Sequence, residues 1–173
     1  QQSLTYGFGD NERVLQFSNY SFDASVEQIF LSLINGGALV LIPQVSGLDI
    51  SLIERVVDDE RVTHLDVTPS FLENLTVGKY AALKRVVCGG EICRKQLAQR
   101  WDGHVEFFNV YGPTEATISS ASYKFLSNVD AEILPIGAPI GNTRIYILDG
   151  SGGLCPVGVA GELYIGGSGV ARG

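Results

Sequence analysis

An open, doubly wound α/β sheet is the fold this sequence predicts, and three observations predict it. Strand-like and helix-like segments alternate through the first two thirds of the chain. The joints between them are short and carry glycine, proline or small polar residues. Apolar residues make up 45% of the 173 positions and charged residues 18%, enough to close a real core.

The elements follow in order. Arg13 to Ser18 alternates as a strand does. Ala24 to Asn35 carries Val26, Ile29, Phe30, Leu33 and Ile34, the apolar stripe of an amphipathic helix. Gly36-Gly37 ends it. Ala38 to Ile42 is a short apolar run stopped by Pro43, and reads as a buried parallel strand. Asp49 to Glu60 repeats the helical stripe through Ile50, Ile53, Val56 and Val57. Val62 to Val67 is the third strand. Pro69 suits the first turn of a helix reaching about Thr76, because its missing N–H has no partner there anyway. Arg85 to Cys88 is a strand, Arg94 to Trp101 a helix and Val105 to Asn109 a fifth strand. Short right-handed crossovers place these five strands in one mostly parallel sheet.

The pattern changes after Ile118. Strands over Ile118–Phe125, Arg144–Leu148 and Glu162–Ile165 are divided by Gly/Pro turns with no helix between. The expected division is a flavodoxin-like layer over 1–128 and the truncated start of a β-rich, barrel-like region over 129–173. Methionine is absent and the sequence stops inside a glycine-rich run. The chain therefore reads as a piece of a longer polypeptide.

Composition excludes several functions. Net charge is −7 and no Lys/Arg cluster occurs, so nucleic acid is not an expected partner. No apolar run approaches the roughly 20 residues that cross a bilayer, and the start has no signal-peptide pattern. Cys88, Cys93 and Cys155 form no CxxC pair, which argues against a zinc site or disulfide framework and for a reducing cytoplasm. His64 and His104 stand far apart and read as core or solvated residues.

Ligands of open α/β sheets bind beyond the carboxyl ends of the strands. Those ends carry Asn19–Asp23, Asp66–Pro69, Cys88–Glu91 and Asn109–Glu115. In the last segment Gly112-Pro113 forces a turn. Tyr111 offers a face for a base, Thr114 a hydroxyl and Glu115 a hard oxygen for Mg²⁺. Read alone, the same segment is also an ordinary turn with a capping threonine. Asp23 likewise reads as a helix N-cap and Glu27 as a solvated glutamate. Gly161–Gly173 is a strand and a glycine-rich loop. It has neither GxGxxG nor GxSxG spacing, which removes a Rossmann dinucleotide site and a serine hydrolase.

Three blocks, Phe22-Asp-Ala-Ser25, Asn109-x-Tyr-Gly-Pro-Thr-Glu115 and Gly161-Glu-Leu-Tyr-Ile-x-Gly-x-Gly-Val-Ala-Arg-Gly173, resemble the adenylation domains of nonribosomal peptide synthetases. That family sits in the adenylate-forming superfamily, and the resemblance covers essentially the whole chain. It implies activation of an amino acid by ATP and Mg²⁺ to an aminoacyl-adenylate. The acyl group then passes to the 4′-phosphopantetheine thiol of a carrier protein, with condensation domains nearby in the parent. By resemblance, Tyr111 stacks on adenine, Asn109 bonds its edge, and the backbone at Gly90 and Gly112 closes around the nucleotide. Thr114 meets phosphate, Glu115 holds Mg²⁺, and Asp23 pairs with the substrate α-ammonium. Ala24, Glu27, Asp66, Val87, Gly89, Val110, Ile118 and Ser119 fall on the side-chain pocket positions.

The family's phosphate loop and catalytic lysine have no match here, so the isolated chain is expected to be inert. Alternatives within the superfamily are a D-alanine–carrier protein ligase and an acyl-CoA or aryl-acid ligase. A non-catalytic binding module sharing the fold is a third. Acyl and aryl acids lack an ammonium group and would leave Asp23 unpaired. With Asp23 engaged, Glu27 and Asp66 remain as two negative groups in an otherwise small, apolar pocket. That pattern predicts a basic substrate, lysine or ornithine ahead of arginine.

Overall fold

The computed structural model describes residues 1–43 and 49–172. Five strands run parallel: β1 (Arg13–Gln16), β2 (Ala38–Leu41), β3 (His64–Val67), β4 (Arg85–Cys88) and β5 (Glu106–Tyr111). Two antiparallel strands extend the sheet, β6 (Ala121–Lys124) and β7 (Ala138–Pro139). The spatial order is β2-β1-β3-β4-β5-β6-β7, so the strand order reverses between β1 and β3. A separate hairpin, β8 (Thr143–Leu148) and β9 (Glu162–Gly167), pairs through six residues on each strand.

The expected fold class is observed, with seven strands in the main sheet where five are expected: β6 lies within the predicted strand Ile118–Phe125 but joins this sheet, and β7 is not predicted. The expected junction at 128/129 falls inside the first layer. Leu134 is buried in the main core, Val129 packs against it, and Ala138-Pro139 pairs with Ala121-Ser122. The hairpin region begins only at Thr143. Strand β2 is also corrected: it forms the edge of the sheet, and only Val40 of its four residues is buried.

One face of the sheet carries α3 (Ile50–Asp59), α4 (Pro69–Leu72) and α5 (Lys95–Trp101). Ile53, Val57, Phe71, Leu72, Leu97 and Trp101 close the main core against Leu15, Leu65, Val67, Val86 and Phe107. Asp49 caps α3 by accepting from the Leu52 N–H. Thr68 caps α4, whose first residue is Pro69, and this helix is a single turn where the sequence suggests two.

The other face carries α2 (Ala24–Leu33) and the segment before β1, including the short α1 (Gln2–Thr5). Here the expectation inverts. The apolar stripe of α2 points away from the sheet, with Val26 45%, Phe30 57% and Leu33 58% exposed. The buried side is Ser25, Gln28, Leu31 and Ser32. Strand ends need partners, and Gln28 supplies them. Its Oε1 accepts from Phe17 N and Ser18 N at 3.0 Å each, and its Nε2 donates to Asp66 O at 3.1 Å. Small serines at 25 and 32 let the helix come close enough for that reach.

Candidate functional site

A cavity of about 440 Å³ opens at the carboxyl edge of the sheet, at the β1/β3 reversal and on the α2 side. Strand alternation puts Asp66 on that side, because Leu65 and Val67 belong to the opposite core. The start of α2 contributes Asp23, Ala24 and Glu27. Gly89 and Gly90 come from the turn after β4, and Val110 and Gly112 from the end of β5. Ile118 and Ser119 close the rim. Asn19, Phe22, Val67, Thr68 and Glu91, from the strand-end segments the sequence points to, also line it, as do Phe17 and Ser18, which lie outside those segments.

Two close approaches shape the wall. A Cβ on Gly112 would lie 2.2 Å from Ile118 O, so only glycine admits the crossing of the two segments. Ile118 itself holds φ +78°, which is uncommon for a β-branched residue and keeps its carbonyl turned to Gly112.

Three acids meet in the cavity. Asp23 accepts from Ala24 N at 2.8 Å through Oδ1 and from the Thr114 hydroxyl at 2.6 Å through Oδ2. Glu27 accepts from the Ser119 hydroxyl at 3.0 Å, the Tyr6 hydroxyl at 3.3 Å and Gln2 Nε2 at 3.5 Å. Asp66 has no cationic partner among the described residues. Glu27 and Asp66 each retain some exposed area, yet the surrounding protein desolvates them. Burial raises the pKa of Glu27, against the hydrogen bonds that lower it. Burial, then the Glu27 charge, pushes Asp66 well above the carboxylate range. Desolvated carboxylates with no built-in cation among the described residues are suited to receive one.

Other expected residues are placed differently. Val87 is fully buried beneath the cavity, clustered with Tyr6, Leu31 and Phe108, and does not line it. Asn109 donates through Nδ2 to Pro135 O at 2.8 Å and to Leu134 O at 3.4 Å. Its NH₂ group ties the 134–135 segment to β5. Thr114 spends its hydroxyl hydrogen on Asp23, joining the 3-10 turn Thr114–Ala116 to α2. Tyr111 ends β5 and is 39% exposed, beside Gly112 at the cavity wall. Glu115 is exposed on the adjoining turn, its carboxylate unpaired among the described residues. Glu91 accepts from Ser70 N at 3.0 Å and the Ser70 hydroxyl at 2.8 Å, which anchors the Gly89-Gly90 turn to α4.

The blocks at 109–115 and 161–173 converge in space. Ala171 N donates to Glu115 O at 2.7 Å, and the Thr117 hydroxyl donates to Gly169 O. Gly173, the last residue of the second block, lies outside the described residues. The residue that sequence reasoning misses altogether is Tyr6. Its signal is faint: one aromatic in the stretch ahead of β1.

Fold and cavity define an open α/β protein with a ligand crevice at its topological switch point. The chain belongs to the AMP-binding enzyme family, which matches residues 1–173. It is 39% identical over 175 residues to tyrocidine synthase 3 of Brevibacillus parabrevis, covering 98% of this chain and 3% of that protein. It is 35% identical over 164 residues to gramicidin S synthase 1 of Brevibacillus brevis, covering 95% of this chain and 15% of that protein. The fold superposes on the Vibrio cholerae adenylation domain AlmE, solved in complex with glycyl-adenosine-5′-phosphate. The TM-score is 0.86 at 25% identity, over 99% of this chain and 34% of that one. The chain thus spans a small part of the synthetases it matches and a portion of an adenylation domain.

Proposed function

We propose that the parent protein activates a basic amino acid, lysine or ornithine ahead of arginine. It forms the aminoacyl-adenylate from ATP, releases pyrophosphate and loads the acyl group on a carrier protein's 4′-phosphopantetheine thiol. The observation that carries the substrate class is the pair of desolvated carboxylates, Glu27 and Asp66, facing one cavity with no cationic side chain paired to them among the described residues. Asp23, at the start of α2, pairs with the α-ammonium, and its fixed Oδ2 leaves the carboxylate oriented toward the cavity. A second ammonium at the end of a four- or three-carbon side chain then reaches Glu27 and Asp66. The small residues Ala24 and Gly89 leave length for that chain, and Val110 limits its width.

On the nucleotide side, Tyr111 offers its exposed face to adenine, and the Gly90 and Gly112 backbones approach the base or ribose. Thr114 is assigned to the phosphate and Glu115 to Mg²⁺, both on the turn that the Thr114 hydroxyl ties to Asp23. A lone exposed carboxylate such as Glu115 suits Mg²⁺, which takes one or two carboxylates and fills its remaining positions with water and phosphate oxygens. When bound, Mg²⁺ would neutralise charge on the leaving pyrophosphate. This chain's own contribution is positioning: it holds carboxylate, side chain and adenine in one crevice. Without the lysine and phosphate loop of its relatives, the 173-residue piece alone is expected to leave ATP–pyrophosphate exchange at background.

A panel of the common amino acids plus ornithine, in ATP–pyrophosphate exchange by the complete parent, tests the reading. A preference for lysine or ornithine supports it. A preference for an aromatic, aliphatic or acidic residue removes it.

A further inference from the structure

We infer that Tyr6 is a positioning residue for substrate selection: with Ser119 it fixes the Glu27 carboxylate at the cavity wall, so the segment before β1 takes part in recognising the side chain. The inference rests on the cation-recognising reading of Glu27 given above.

Tyr6 is 2% exposed. Its ring sits edge-on to Phe108 at 5.2 Å and tilted against His64 at 5.3 Å. Those contacts would serve a phenylalanine equally well. The hydroxyl is what needs explaining, since a buried O–H without an acceptor is costly. Among the described residues its one partner is Glu27 Oε1, at 3.3 Å. The other oxygen, Oε2, accepts from Ser119 at 3.0 Å and from Gln2 at 3.5 Å. Donors on both oxygens set the rotation of the carboxylate plane as well as its place. A free glutamate would lose rotamer freedom on meeting a substrate ammonium, and a held one has already lost it.

The groups facing Glu27 are Asp23 on its own helix, Asp66 on β3, Ser119 after β5, and Tyr6 and Gln2 before β1. Burial, with the Glu27 and Asp66 charges, holds the Tyr6 phenol well above its ordinary range, so it stays a donor throughout the working pH range. Its hydrogen bond favours the ionised form of Glu27 and opposes the effect of burial.

The test is Tyr6→Phe in the complete parent enzyme, assayed by ATP–pyrophosphate exchange with lysine or ornithine and with the neutral analogue of equal length. KM for the basic substrate should rise about three- to tenfold with kcat nearly unchanged, and the neutral analogue should be unaffected. The acid limb of kcat/KM for the basic substrate should move to higher pH, because a donor to the ionised carboxylate is gone. Tyr6→Leu removes the ring as well and should lower Tm, which separates packing from positioning. An unchanged basic-to-neutral ratio and an unmoved acid limb in a folded Tyr6→Phe enzyme would overturn the inference. So would equal losses for both substrates. If the wild-type parent shows no preference for the basic substrate, the cation reading fails separately. Positioning is then judged on its preferred amino acid against the apolar analogue of equal length, and an unchanged ratio overturns it there too.

Discussion

The two ends of the sheet each bury carboxylates, and they treat them in opposite ways. At the amino end, Glu12 is 2% exposed and meets Arg85 at 2.7 Å, Lys84 at 3.1 Å and the Thr63 hydroxyl. Burial alone would raise its pKa. The hydrogen bonds from Arg85, Thr63 and Lys84, with the Arg85 charge, outweigh that and hold it at about 2. At the carboxyl end, Glu27 accepts only from hydroxyl and amide groups and Asp66 meets no cation among the described residues, and burial raises both. A carboxylate with a built-in cation belongs to the fold. A carboxylate lacking one, in a cavity, is poised for a ligand.

The comparison breaks first at Arg85. Arg85→Met should leave Glu12 with the exposed Lys84 as its one cation and remove the bond to Gly7 O at 3.2 Å. Removing one partner of a buried pair costs about 3–5 kcal/mol. Urea unfolding of the parent's adenylation domain should show that loss, and a change below about 1 kcal/mol would place Glu12 outside the structural class. The two ends also respond oppositely to acid. Glu12, lowered from 4.5 to about 2, contributes stability above pH 4.5 that is lost as pH falls toward 2. Glu27 and Asp66 have raised values, so their desolvation cost is present at neutral pH and relieved on acidification.

The next test lies at the other end. Asp66→Asn should reduce kcat/KM for the basic substrate about tenfold to a hundredfold, since a charge-assisted hydrogen bond is worth roughly 1.5–3 kcal/mol. Stability should hold or rise, because an uncompensated desolvated charge is removed. A stability loss like that of Arg85→Met would show Asp66 to be structural instead. A smaller effect is expected in the pH dependence. A cation entering the cavity displaces protons from the two raised acids, so kcat/KM for a basic substrate should climb with pH and for a neutral analogue should not. Parallel profiles for the two substrates would separate the acids from recognition.

How much of this is legible in the sequence follows from what kind of signal each feature leaves. The five parallel strands show as apolar runs bounded by turns, and the acids of the crevice show as polar residues at strand ends. Asp66 is legible as an acid on an otherwise apolar strand. The orientation of α2 is not. Its apolar stripe is real, yet Gln28 must satisfy the ends of β1 and β3, and that tertiary demand overrides amphipathic placement. The tie from Asn109 to Leu134 and Pro135 is not legible, because those partners belong to an irregular segment that no periodicity announces. Strand β7 is two residues long, one of them proline, and leaves no pattern to find. Tyr6 carries its meaning in a hydroxyl contact to a residue 21 positions away.

The finest division concerns the two cations on Glu12. Arg85 is 5% exposed and Lys84 53% exposed, although both approach the same Oε1. Coulomb attraction is screened where water reaches the ammonium, and a mobile lysine loses rotamer freedom to hold one geometry. Lys84→Met should therefore cost only about 0–1 kcal/mol in the same unfolding measurement. That loss should shrink further at high salt, whereas the Arg85→Met loss should be nearly insensitive to it. If the two substitutions cost the same, the Glu12 carboxylate is held by total charge and not by the buried guanidinium. The contrast between the two ends would then rest on the number of cations present and not on their burial.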